Sequence, residues 1–195
     1  GKFIYPSFID IYSDFGIPKT KRKSSGSGSA QYGPSREGFY WNDHIRPEQN
    51  AIDQFKYDEK IAKSLLKAGF GVVNTHIQDG IVRGTGALIA LDSKGSDSQR
   101  ILSDKSAHYT SFSKSVISQQ SYPSSIMGSM ALLRQLNHDA EWYKNGNIQT
   151  KDRSIEAFNI NKNILCCFNI IEIYTVNHFR RIENKFIFKL FGCIG

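Results

Sequence analysis

DEKIAKSLLKAGFGVVNT, residues 58–75, decides the fold class. Asp58 stands where an N-cap belongs, with a carboxylate free to accept from the first orphan N–H groups of a helix. Ile61, Ala62, Leu65, Leu66 and Ala68 then recur at helical spacing. Gly69 follows at the position where a helix stops in a left-handed residue. A β-branched run, FGVVNTHI, begins at once. A helix joined this tightly to a strand is the unit of an α/β fold with parallel pairing.

The pattern repeats on both sides of this stretch. Upstream, FIYPSFIDIY at residues 3–12 reads as a buried strand, with Pro6 confined to its start. Residues 15–50 are dense in Gly, Ser and Pro and read as a long, partly flexible loop: KSSGSGS is its mobile centre, and GFYWNDHIRP is aromatic enough to dock on the body. Downstream, QDGIVRGTGALIALDSKG predicts a short β excursion, ALIAL flanked by two Gly turns, with DSKGSDSQ as its solvent turn. SYPSSIMGSMALLRQLNHDAEWYKNGN predicts the best helix of the chain. Ser124 or Ser125 caps it, Ile126, Met130, Leu133, Leu136 or Asn137, Ala140 and Tyr143 share a face, and Gly146 ends it. A helix over about 152–161, a strand ILCCFNI, a helix at TVNHFRRIENK and a strand FIFKLFG complete an α, β, α, β tail.

With 195 residues and 39% hydrophobic content the chain can bury one sizeable core, as a single domain or part of a larger one. It contains no apolar run of about 18 residues, the minimum for a membrane-spanning helix. The compartment is not legible. Cys166, Cys167 and Cys193 form no C-x-x-C pair, so they read as small buried hydrophobes in strands and not as a zinc knuckle. The net charge of +7 permits attraction to a polyanion, yet no recognition motif accompanies it, and KTKRK at 19–23 reads as a solvated loop. Nucleic acid is therefore not expected as a partner. The serines form no G-x-S-x-G elbow, and KTKRKSSGSGS lacks the order of a phosphate loop.

The opening, G-K-x-I-x-P-S-F-I-D-x-Y-S-D, resembles the first barrel strand of the amidohydrolase superfamily, where the pattern runs G-K-x-hydrophobic-x-P-G-F-I-D-x-H-x-H. Further blocks follow in order. NDHIRPEQNAID is similar to the approach to the first barrel helix in imidazolonepropionase-like members, and KAGFGVVNTHIQDGIVRGTGALIAL to their A-G-V-T-T-V strand with its Gly-rich loop. SYPSSIMGSMALLRQLNHDAEWY resembles their P-x-x-R-M-G helix, with Ile126 at the Arg position. The resemblance covers residues 1–160, and the tail 162–195 only loosely. It implies part of a TIM-type β/α barrel, about half of one, because a complete barrel takes about 250 residues. Intact members are expected to hold zinc or another divalent metal at the strand ends, where it activates water for hydrolysis of non-peptide C–N bonds.

At the decisive position the chain departs from that pattern. Tyr12-Ser13-Asp14 replaces H-x-H. Strand alternation would put Asp10, Tyr12 and Asp14 on one face, but a neutral Tyr is a poor ligand and Asp14 alone a weak candidate. No two of His44, His76, His108, His138 and His178 share metal-ligand spacing. The expectation is thus a non-catalytic copy without a metal, whose partner is the remainder of the barrel or a second amidohydrolase domain; alone, such a half is expected to aggregate or to need its missing half. Tyr12, Asp14, His76 and Arg83 are the cavity-lining candidates. For His76 a hydrogen-bonded structural role is favoured over a ligand or base, and for Arg83 an exposed turn residue over an anion contact. Two alternatives stay open: a mononuclear hydrolase using Asp14 and His76 with ligands from outside the chain, and a module in which Phe39, Tyr40, Trp41 and the basic run bind a glycan or polyanion.

Overall fold

A computed structural model describes residue 3 and residues 5–21, 36–92, 94–146, 150–164 and 166–168. The expected helix at TVNHFRRIENK, the strand FIFKLFG, His178, Cys193 and the KSSGSGS centre lie outside the described residues. Two sheets and four helices form a mixed α/β architecture, and among the described residues the strands close no barrel.

The first sheet has the order β1-β2-β4-β5. Strand β1 (Phe8–Ser13) pairs in parallel with β2 (Phe70–Thr75), and helix α1 (Glu59–Lys67) makes the crossover between them. Local signals fix α1: the Asp58 carboxylate accepts from the N–H groups of Lys60 and Ile61 at 2.9 and 3.1 Å, and Gly69 follows at φ +97°. Ala62 of α1 joins Phe15, Ile17, Val73, Ile77, Ala87, Ile89 and Leu91 in a core against this sheet. The expected β excursion is present. Strand β4 (Ala87–Ala90) lies antiparallel on β2, buries Ala87 and Ile89 in alternation, and pairs with β5 (Ile101–Ser103). The supposed solvent turn before β5 contains a short helix, α2 (Asp97–Arg100), closed by a Ser96–Gln99 capping box.

The second sheet, β3-β6-β7, pairs β3 (Val82–Thr85) antiparallel with β6 (His108–Thr110) and β6 parallel with β7 (Cys166–Phe168). Helices α3 (Ile126–Lys144) and α4 (Arg153–Asn161) span the crossover from β6 to β7. Ser125 caps α3 by accepting from Gly128 N–H, and Asp152 caps α4 by accepting from Ile155 N–H. Leu132, Leu133, Leu136 and Ala140 of α3, Ile155 and Phe158 of α4, and Tyr40, Ile45, Ile81 and Val82 make the second core. Ile126, assigned to the core face, is exposed; Leu132 and Ser129 are buried in that helix instead.

A single glycine separates β3 from β4, so one stretch of chain passes from sheet to sheet. Gly84 has φ +80°, and a Cβ there would run into the Gln49 carbonyl, which accepts from Thr85 N–H at 2.9 Å. Only glycine fits, and through it the 42–50 loop is stitched along β3.

Strand β1 corrects the expectation of a buried strand. It is the edge of its sheet, and Phe8, Ile9 and Ile11 are 68%, 58% and 59% exposed. The apolar composition is that of a covered strand, but among the described residues nothing covers it. No helix is long and apolar enough to cross a membrane, among the described residues.

Candidate functional site

The ends of β1, β2 and β3 bring three of the four sequence-picked residues together. Tyr12 lies in β1 just where its register against β2 shifts, between Asp10 and Ser13. His76 continues β2 by one residue, its N–H donating to the Ser13 carbonyl at 3.0 Å. Arg83 comes from β3, behind a turn whose Gly80 has φ +96°. The His76 ring stacks on Tyr109 of β6, centroids 3.7 Å apart and planes 5° apart, and Tyr12 meets it edge-on at 4.3 Å. The Tyr109 hydroxyl donates to the Ile11 carbonyl at 2.7 Å, which ties the two sheets together at this point.

Arg83 is not the exposed turn residue expected: it is 4% exposed. Its guanidinium donates to Tyr12 Oη at 2.6 Å, to Ser111 Oγ at 2.8 Å and, through Nε, to the Gly80 carbonyl at 3.0 Å. Ser111 in turn donates to the same Gly80 carbonyl at 2.9 Å. Among the described residues no carboxylate oxygen lies within 4.0 Å of this buried cation.

His76 is 1% exposed, and both its ring nitrogens are buried with no hydrogen-bond partner among the described residues, so the hydrogen-bonded structural role is corrected to a stacked one. Burial first, and then the charge of Arg83, push its pKa down to about 3. The imidazole is neutral near pH 7 and a weak base there, far from the value that general catalysis favours.

Asp14 stands apart. Strand β1 ends at Ser13, and Asp14 opens a turn in which its carbonyl accepts from Ile17 N–H at 3.0 Å, so alternation no longer aligns it with Tyr12. Its carboxylate reaches Lys19 at 4.0 Å, on the wall of an open cleft of about 930 Å³. Asp10, Tyr12, Lys56, Asp58 and Lys60 also line that cleft; His76 and Arg83 do not. Among the described residues no three His, Cys, Asp or Glu side chains gather as a metal set. The residues present therefore do not fit a divalent ion at this position.

Several contributors escaped the sequence reading. Tyr109 and Ser111 sit in or beside β6, in a run, HYTS, that is buried throughout and so shows no alternation. Nearby, Asp79 accepts from Ser115 Oγ at 2.5 Å and from Val116 N–H at 2.7 Å, while Ser115 N–H donates to His44 Nδ1 at 3.0 Å. His44 Nε2 therefore carries the proton and donates to the Gln120 carbonyl at 3.2 Å. Serine, histidine and aspartate are close here but wired wrongly for a nucleophile, because the hydroxyl bonds the carboxylate and the imidazole bonds only backbone. His108 is buried in β6 against Phe158, and His138 is exposed on α3. A second cavity, about 310 Å³, is lined by Phe39, Tyr40, Trp41, Asp139, Trp142 and Asp152 among others, and there the Tyr40 hydroxyl donates to Asp139 at 2.7 Å.

No family model matches the chain, and no curated protein does. Among solved structures it resembles the amidohydrolase from Thermotoga maritima MSB8, with a TM-score of 0.60 and 19% identity. The match covers 96% of this chain and 49% of that one, so the chain spans about half the length of its structural neighbour. The fold is thus like that of part of an amidohydrolase.

Proposed function

We propose that this chain is the N-terminal part of an amidohydrolase-like β/α barrel and serves as scaffold, without hydrolytic activity of its own. The observation that carries the proposal is the likeness over nearly the whole chain to half of an amidohydrolase. The bare edge and apolar outer residues of β1 support it, since a closing barrel would continue the sheet there. The partner is then the remainder of the barrel or a second amidohydrolase domain, and the C–N hydrolysis of intact members, with their divalent metal, belongs to that larger assembly. The candidate cluster supports a silent copy. Tyr12 is engaged by Arg83, Asp14 faces solvent beside Lys19, and His76 is neutral and only a weak base near pH 7. Because Asp14 lies in the open cleft and His76 in the stacked interior, the mononuclear alternative has little geometry behind it. The test is to assay the purified chain on amide and lactam substrates with added zinc: no turnover is expected, and turnover accompanied by stoichiometric tightly bound metal would overturn the proposal.

The aromatic cavity favours one second reading. Trp142, 52% exposed, gives the cavity an aromatic wall, and Asp139, whose carboxylate accepts from Tyr40 and Gln135, and Asp152 give it an acidic lining that suits a neutral sugar and argues against a polyanion. Quenching of tryptophan emission by neutral oligosaccharides, lost in Trp142→Ala, is the expected sign; no response to any glycan removes this reading.

A further inference from the structure

Arg83 raises the question of what a buried guanidinium, with no carboxylate partner among the described residues, does at the strand ends. Buried charges are ordinarily matched by a carboxylate, and among the described residues this one is not. Gly80, Ser111 and Tyr12 hold it from three directions, and the following residue, Gly84, is locked against Gln49. Its nearest oxygen, Tyr12 Oη, belongs to the first residue of the Tyr12-Ser13-Asp14 triplet.

We propose that Arg83 is a built-in cation, a guanidinium that takes the electrostatic place of a divalent ion at the ends of β1 and β2, clamps Tyr12 to Ser111 and keeps the position free of metal. The proposal rests on reading these strand ends as those of an amidohydrolase-like barrel. A divalent ion sharing Tyr12 Oη would stand within about 4 Å of the guanidinium, and at an effective dielectric constant near 20 that repulsion lowers affinity on the order of a millionfold. The neutral His76 ring then packs against the clamp as an aromatic plate, which explains why it can stack on Tyr109 with neither nitrogen engaged.

The experiment is thermal unfolding of the protein with and without zinc chloride and EDTA, alongside the variants Tyr12→Phe, Arg83→Lys and Arg83→Met. Neither zinc nor EDTA is expected to move the wild-type Tm, whereas one ion bound at 100 times its Kd would raise it by about 5–10 °C. A zinc-dependent rise of that size, or a fall with EDTA, overturns the proposal. Tyr12→Phe deletes only the hydroxyl that accepts from Arg83, and the expected fall in Tm is about 3–12 °C. Arg83→Lys keeps the charge without the three-way fork, so it is expected to remain insensitive to zinc while melting earlier than wild type. If Arg83→Met does not fold, Tyr12→Phe and Arg83→Lys still decide the matter, since wild-type Tm in both would overturn the clamp. Failure of the barrel reading shows up elsewhere, as the absence of any further β/α units to close the sheet, and leaves the zinc response unchanged.

Discussion

Replacing His76 with Phe isolates the energetic consequence of burying an unpaired imidazole. In the unfolded chain the ring titrates near 6.5, and in the fold burial and Arg83 push it to about 3. The folded value is depressed, so between those two values the unfolded chain binds the extra proton. Stability is therefore intact above about pH 6.5 and falls as the pH drops toward 3. One such site contributes a loss of about 2 kcal/mol between pH 7 and pH 5, and about 5 kcal/mol once both states are protonated. His108, which burial pushes to about 4, adds a loss of about 2 kcal/mol over the same interval. Phe fills nearly the same volume, keeps a ring against Tyr109 and removes two orphaned nitrogens, so His76→Phe is expected to match or slightly exceed wild-type stability at pH 7. The assay is urea unfolding followed by circular dichroism at pH 7 and pH 5. Between the two, the variant is expected to lose about 2 kcal/mol less than wild type. Equal losses would mean that the fold does not disfavour the protonated His76 ring, and that His76 finds a proton partner in the folded state.

Three further perturbations probe the frame that holds the cluster. Gly84→Ala forces a Cβ into the Gln49 carbonyl at φ +80°, and a loss of about 4 kcal/mol in urea unfolding is expected from strain and overpacking together. Leu136→Ala, at a fully buried position between α3 and the second sheet, is expected to cost about 2–5 kcal/mol, seen as a Tm lowered by about 4–20 °C. Asp152→Ala removes the cap of α4 and is expected to cost about 1 kcal/mol by the same unfolding assay.

Where structure follows from a few neighbouring residues, it was legible in the sequence. Asp58 and Gly69 bound α1, Ser125 and Gly146 bound α3, and the ALIAL alternation appears as β4, because caps, φ > 0 glycines and period-two patterns act over one or two turns of chain. Parallel pairing of β1 with β2 also followed from the helix–strand order. Burial was less legible, since it depends on what lies opposite. Phe8, Ile9 and Ile11 have the composition of a covered strand but form an edge. Arg83 has the sequence setting of a turn residue, yet Tyr12 and Ser111, 71 and 28 positions away, draw it inside. Strand β6 left no trace because three residues buried on both faces show no alternation. Strand periodicity alone would put Asp14 on the face of Tyr12, but the strand stops one residue too early for that to hold.

On the proposed function, this chain is one part of a barrel whose other part closes on β1. The most direct measurement is to sequence the coding region on both sides of these residues. On the half-barrel reading the frame continues beyond Gly195 into further β/α units, or into a second copy of the opening motif with histidines at both positions held here by Tyr12 and Asp14. A frame that stops at Gly195, with no second amidohydrolase-like segment upstream, would contradict it.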